Sequence, residues 1–129
     1  MQPKAILLAF SASIALAAPA VASGGIWCEG DGVTVEIAAG RLPVLQVIGA
    51  YVEVDGAAFS TGPERGEGTP FVVGQAFSDS DGVKVDFVDP NFEAILVSIR
   101  LVRDDDADWP LTGHVLIGEA SHDIRCGAD

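Results

Sequence analysis

The chain has 129 residues, 49% of them apolar, and sets 19 acidic against 7 basic side chains for a net charge of −12. A balance this acidic excludes nucleic-acid binding, which needs a basic surface to neutralise phosphate, and adhesion to anionic lipid head groups. It is compatible with a cationic partner or a divalent cation, and it favours solubility in any case.

The first segment reads MQPKAILLAFSASIALAAPAVASGG, with Lys4 the only charge before Glu29. An apolar run from Ala5 to Ala18, the Pro19 break and the small residues Ala20-Val21-Ala22 follow in the order of a secretory signal peptide. The run is shorter than the roughly 20 residues a bilayer span needs, so a transmembrane anchor is not expected. The order predicts a cleaved signal over residues 1–22, cut between Ala22 and Ser23, and one domain over 23–129 in the periplasm or secreted. That domain keeps six Lys/Arg against nineteen Asp/Glu, a net charge of −13.

Cys28 and Cys126 are the only cysteines. Lipidation at Cys28 is excluded by the bulky Trp27 directly before it. A catalytic thiol would need a neighbouring base, and nothing close to Cys28 is basic. A zinc site would have to recruit His114 and His122, and exported thiolates oxidise unless metal reaches them first. What remains is a disulfide between Cys28 and Cys126 in an oxidising compartment.

Along the chain the segments are short, alternating and rich in Val and Ile. Val33, Val35 and Ile37 alternate with Thr34 and Glu36, a strand with one wet face. Residues 44–55 form a longer extended run in which Gly49 predicts a bulge or bend. Asp55-Gly56 predicts a tight turn into residues 57–61. The polar stretch STGPERGEGTP, residues 60–70, has no apolar anchor and is expected to be mobile. Phe71, Val73, Gln75 and Phe77 then recur at period two. Phe71, Phe77 and Phe87 are assigned to the core. Val83 to Phe87, Ile95 to Leu101, residues 111–120 and residues 121–126 complete about eight strands, with turn signals every eight to twelve residues. The expected fold is all-β: a single small antiparallel barrel or sandwich, mainly a meander, its termini joined by the disulfide. Pairing of the first and last strands is expected to close the sheet and remove its edges.

Chemistry is confined to the loops. Asp79 and Asp81 lie in one turn, and Asp104, Asp105, Asp106 and Asp108 lie in another that a meander places at the same end. They are the candidate calcium ligands, since calcium takes clustered loop carboxylates; no other cofactor is expected. Asp89 falls at the opposite end. Ser121-His122-Asp123 has the letters of a hydrolytic triad, but consecutive strand residues point to opposite faces, so no catalytic residue is assigned. Trp109, beside Pro110 in the acidic loop, is the candidate partner-binding residue.

The stretch WCEGDGVTVEI, residues 27–37, together with the late Cys126, resembles the bacterial periplasmic inhibitors of c-type lysozyme. That family joins an early strand cysteine to a late one across a small barrel. The resemblance implies a barrel that binds a cationic cell-wall enzyme. The family's inhibitory Ser-Gly-x-x-Tyr loop has no counterpart here, so no inhibitory residue is carried over. Taken together, these features give an exported, acidic, non-enzymatic β domain that binds a protein partner, preferably a cationic one. A lysozyme-type inhibitor and a calcium-stabilised domain are the alternatives.

Overall fold

A computed structural model describes residues 23–40 and 44–129, and the predicted signal peptide over 1–22 lies outside the described residues. Ten strands follow one another: β1 Ser23–Gly30, β2 Val33–Gly40, β3 Gln46–Val54, β4 Ala57–Ser60, β5 Thr69–Pro70, β6 Val72–Ser78, β7 Gly82–Val88, β8 Ile95–Arg103, β9 Leu111–Ile117 and β10 Ala120–Ala128. There is no helix among the described residues. The count exceeds the expected eight for two reasons. The glycine-rich β1 carries few strand-forming residues of its own and is held by both its neighbours. The two-residue β5 forms only by lying parallel to β4.

All ten strands belong to one sheet in the order β5-β4-β3-β2-β1-β10-β9-β8-β7-β6. The sheet curls into a nearly closed barrel, with consecutive strands antiparallel except where β5 joins β4. The alternation of Val and Ile puts one face of each strand inside. Val35, Val52, Val85, Val97, Ile99, Leu111 and Val115 are fully buried there. Phe71 stacks on Phe87 at 4.2 Å and on Phe59 at 5.9 Å, filling the interior with aromatic rings. At Asp55-Gly56 both residues have positive φ, 51° and 86°, the turn geometry that matches the twist of the β3–β4 hairpin.

Cys28 and Cys126 are bonded and stand directly opposite each other in the β1–β10 pairing, 98 residues apart in sequence. A cystine of this kind persists in oxidising, extracytoplasmic environments. The pairing of the terminal strands does not close the sheet, however. It lies in the middle and stitches the half built from β1–β5 to the half built from β6–β10. The free edges lie at a seam where β6 approaches β3.

Bulges decide which residues the simple alternation misplaces. Ile48 is the extra residue where β3 slips against β2, next to Gly49 as expected. Gly74 is the extra residue of β6, so the parity reverses after it. Phe77 consequently faces outward and is 55% exposed, whereas Phe71 and Phe87 lie in the core as assigned. A third slip between Phe87 and Val88 puts Ile95 outside while Val97, Ile99 and Leu101 stay in.

The polar stretch 60–70 lies along β3 and is tied to it by polar contacts. Thr61 and Ala50 exchange hydrogen bonds, Arg65 lies over Gly49, and Gly66 (φ 141°) sits against the Tyr51 ring. The carboxylate of Asp89 closes the β7–β8 turn by accepting the N–H groups of Asn91, Glu93 and Ala94. These bonds, the one to Ala94 foremost, hold Asp89 below the usual carboxylate range.

Candidate interaction face

Because Cys28 points inward to meet Cys126, its neighbour Trp27 must point outward. Trp27 is 45% exposed and lies flat across Gly127, its register partner on β10. A Cβ at position 127 would sit 2.4 Å from the indole, so this glycine is what allows the ring to lie against the wall. The loop after β8 brings Trp109, half-buried, to the other side of Gly127. Trp27, Trp109, Asp108, Pro110, Gly127 and Ala128 line a shallow depression of about 330 Å³.

Trp109 is held in place from below. The Arg125 guanidinium stacks on its ring at 4.9 Å and is anchored in turn by Glu29, whose carboxylate accepts from Nε at 3.1 Å and Nη2 at 2.7 Å. Such a stack on an exposed ring contributes about 0.5–1 kcal/mol and, more usefully here, fixes the orientation of the indole.

A second depression, about 370 Å³, begins on the other side of Trp27 and runs over Gly25 and Ala38 to Tyr51 and Arg65. The β1–β2–β3 register places Trp27, Glu36 and Tyr51 in one outward row. Tyr51 donates to Glu53 at 2.8 Å; that bond, with smaller effects of burial and the charges of Glu53 and Glu36, raises its phenol above the usual value. A third, about 270 Å³, shares Gly24, Gly25, Ile26 and Asp129 with the second and Ala128 with the first. Three depressions thus converge on the paired ends of β1 and β10. The first two are walled by Trp27, Trp109 and Tyr51 over small residues, whereas the third lies at the barrel's end among Leu45, Ser78, Val83, Arg103 and Leu111. Glu29, Glu36, Asp108 and Asp129 surround the three depressions, against Arg125, Arg65 and Arg103.

The candidate calcium ligands divide differently. The turn at 79–81 and the loop at 104–110 do meet, at the same end of the barrel. Arg103 joins them: its N–H donates to the Asp81 carbonyl at 2.9 Å, its Nε to the Asp79 carbonyl and its Nη2 to Ser78. Asp79 accepts the N–H groups of Asp81 and Gly82, and Asp104 accepts that of Asp106, so these two carboxylates shape their own turns. Asp81, Asp105, Asp106 and Asp108 are exposed. Among the described residues no group of three or more acids, histidines or cysteines converges as metal ligands would.

Further along β10, Asp123 pairs with His114 across β9–β10, Nδ1 to Oδ1 at 2.9 Å, rather than with its sequence neighbour His122. Both side chains are largely exposed. Beside His114, Arg100 grips the buried Asp86. Sequence reasoning singled out Trp109 but not Trp27 or Tyr51. The parity argument from Cys28 was the available signal for Trp27; Tyr51 needed the register of three strands. Comparison with protein-family models, curated proteins and solved structures gives no match.

Proposed function

We propose that the protein is an exported binding protein, working in the periplasm or outside the cell. It captures a cationic protein partner on the face around Trp27 and Trp109, and it acts by binding rather than catalysis. The observation that carries this reading is that two depressions meet at Trp27 in one aromatic, acid-rimmed patch. Protein interfaces draw most of their energy from aromatic anchors in a desolvated centre, with charges at the rim setting the encounter rate. Arg125 and Gly127 hold the two indoles ready, which reduces the ordering cost of association.

The narrower form of this reading, drawn from the resemblance to lysozyme inhibitors, makes the partner a cationic cell-wall enzyme. A c-type lysozyme is therefore the first probe, with binding followed by interferometry at low and at physiological ionic strength. Binding is expected to weaken as salt screens the acidic rim. Trp27→Ala and Trp109→Ala are each expected to weaken it about thirtyfold, the effect of truncating an anchor worth about 2 kcal/mol. Absence of binding even at low salt removes the lysozyme form of the proposal.

A further inference from the structure

The seam offers a second surface, independent of the tryptophan face. At its narrow end Thr69 and Pro70 pair with β4, and the Phe71 N–H donates to the Ser60 carbonyl at 3.1 Å. Beyond Phe71 the chain leaves β4 and pairs only with β7. On the other side, β4 covers β3 only from Tyr51 to Val54, and Thr61 takes up the backbone groups of Ala50. Among the described residues, Gln46–Gly49 of β3 and the outer edge of β6 therefore have no backbone partner across the seam. None of the seven residues of β6 is buried. The backbone pairing across the seam thus forms a wedge, closed at Phe71 and open towards Ser78 and Gln46.

Exposed apolar side chains flank this wedge: Val44 and Ile48 on one side, at 67% and 56%, and Phe77 on the other at 55%. The flanking segments, residues 44–50 and 70–78, contain no charged residue, in a chain that carries nineteen acids. Strand edges are usually guarded by lysine, proline or an inward charge, and from Val72 to Ser78 β6 has none of these. Its bulge at Gly74 turns Phe77 outward instead of burying it.

We propose that this wedge is a docking site for an extended segment of a partner protein, which adds to the sheet antiparallel to β6. Seven successive antiparallel pairings make β3 and β6 antiparallel to each other, so the incoming strand runs parallel to β3. Main-chain hydrogen bonds hold such a strand and alternate side chains select it. The segment that fits has apolar residues at alternate positions to cover Ile48 and Phe77. It carries a basic rather than an acidic residue at the end nearest Ser78, because Asp79 and Asp81 lie exposed just past it, with the Arg103 guanidinium held against Ser78 and the Asp79 carbonyl. A second copy of this chain is a poorer occupant, since it brings its own net charge of −13 to the same place.

The test uses a capped synthetic peptide of alternating valine and threonine with a lysine at each end, titrated into the nitrogen-15-labelled protein. The amides of Gly74–Ser78 and Gln46–Ile48 are expected to shift, and those among them that face the seam rather than β7 or β2 to become protected from hydrogen exchange. Phe77→Lys, an outward substitution that leaves the core untouched, is expected to weaken the peptide about tenfold with the rest of the spectrum unchanged. A control peptide with proline at alternate positions is expected not to bind. The proposal is overturned if the shifts map elsewhere, if nothing saturates at millimolar peptide, or if the proline peptide binds equally well. It is also overturned if the seam-facing amides of Gly74–Ser78, those not directed at β7, are already protected in the free protein, which would mean a zipped seam. None of these outcomes bears on Trp27 or Trp109, so this site and the tryptophan face stand or fall separately.

Discussion

Replacing Cys28 and Cys126 by alanine is expected to lower stability by about 4–5 kcal/mol, a large share of the total for a domain of this size. The bond closes a loop of 98 residues and therefore removes much of the freedom of the unfolded chain. Its position adds to the effect. It crosses the β1–β10 pairing, the one ladder that joins β1–β5 to β6–β10, and both sulfurs lie in the core. Urea unfolding of the oxidised protein and the double variant measures the difference. An intact mass two hydrogens below the reduced value, with no titratable thiol, establishes the bond in the isolated protein. Equal urea midpoints with equal slopes would contradict this account of the cystine.

Removing Arg100 is the second large effect expected. Asp86 faces the outside of the barrel yet its side chain is only 5% exposed, because Gln75, Ser98 and Arg100 close over it. Arg100 Nη1 and Nη2 reach its two oxygens at 2.8 and 3.1 Å, and Gln75 donates to it as well. Arg100→Ala leaves a nearly buried carboxylate without its counter-ion. The cost is about 2 kcal/mol, below that of a fully buried pair because the guanidinium is 38% exposed and partly screened. Burial alone raises the Asp86 pKa, but the bonds from Arg100, Ser98 and Gln75 and the charge of Arg100 outweigh it and hold it below 3.8. A depressed carboxylate contributes stability that is fully present above its unfolded value and is lost as pH falls through the folded one. The wild type is therefore expected to lose stability below about pH 4, and Arg100→Ala to lose less over the same range. Melting curves recorded from neutral pH down to about pH 2 check both statements.

The barrel was legible because alternation is a local property. Val33-Val35-Ile37 and Val97-Ile99-Leu101 declare an inner face without reference to any partner, and the two cysteines declare that the ends meet. Three features depend on neighbours and were not legible. Gly74 shifts the register, and only the ladder with β7 reveals that Phe77 is thereby turned outward. β1 is built of SGGIWCEG and becomes a strand because β2 and β10 flank it on both sides. The place of β1–β10 in the strand order, central rather than at the seam, follows from how the chain's two halves curl, which no local pattern encodes. The candidate face was half legible. Trp109 stood out as an aromatic residue in an acidic loop, whereas Trp27 and Tyr51 join it only through the pairing of β10, β1, β2 and β3. The acidic loops met at one end as a meander requires, with the Arg103 side chain binding them together.

The central claim, a cationic partner held on the tryptophan face, is tested most directly by a paired capture experiment. Immobilised wild type and the Trp27→Ala/Trp109→Ala double variant, both shown to fold by circular dichroism, are exposed to the exported proteins of the native source at low and physiological ionic strength. The prediction is a basic protein retained by the wild type, released as salt rises and absent from the double variant. Retention of the same proteins by both, or of acidic proteins regardless of salt, would contradict the claim.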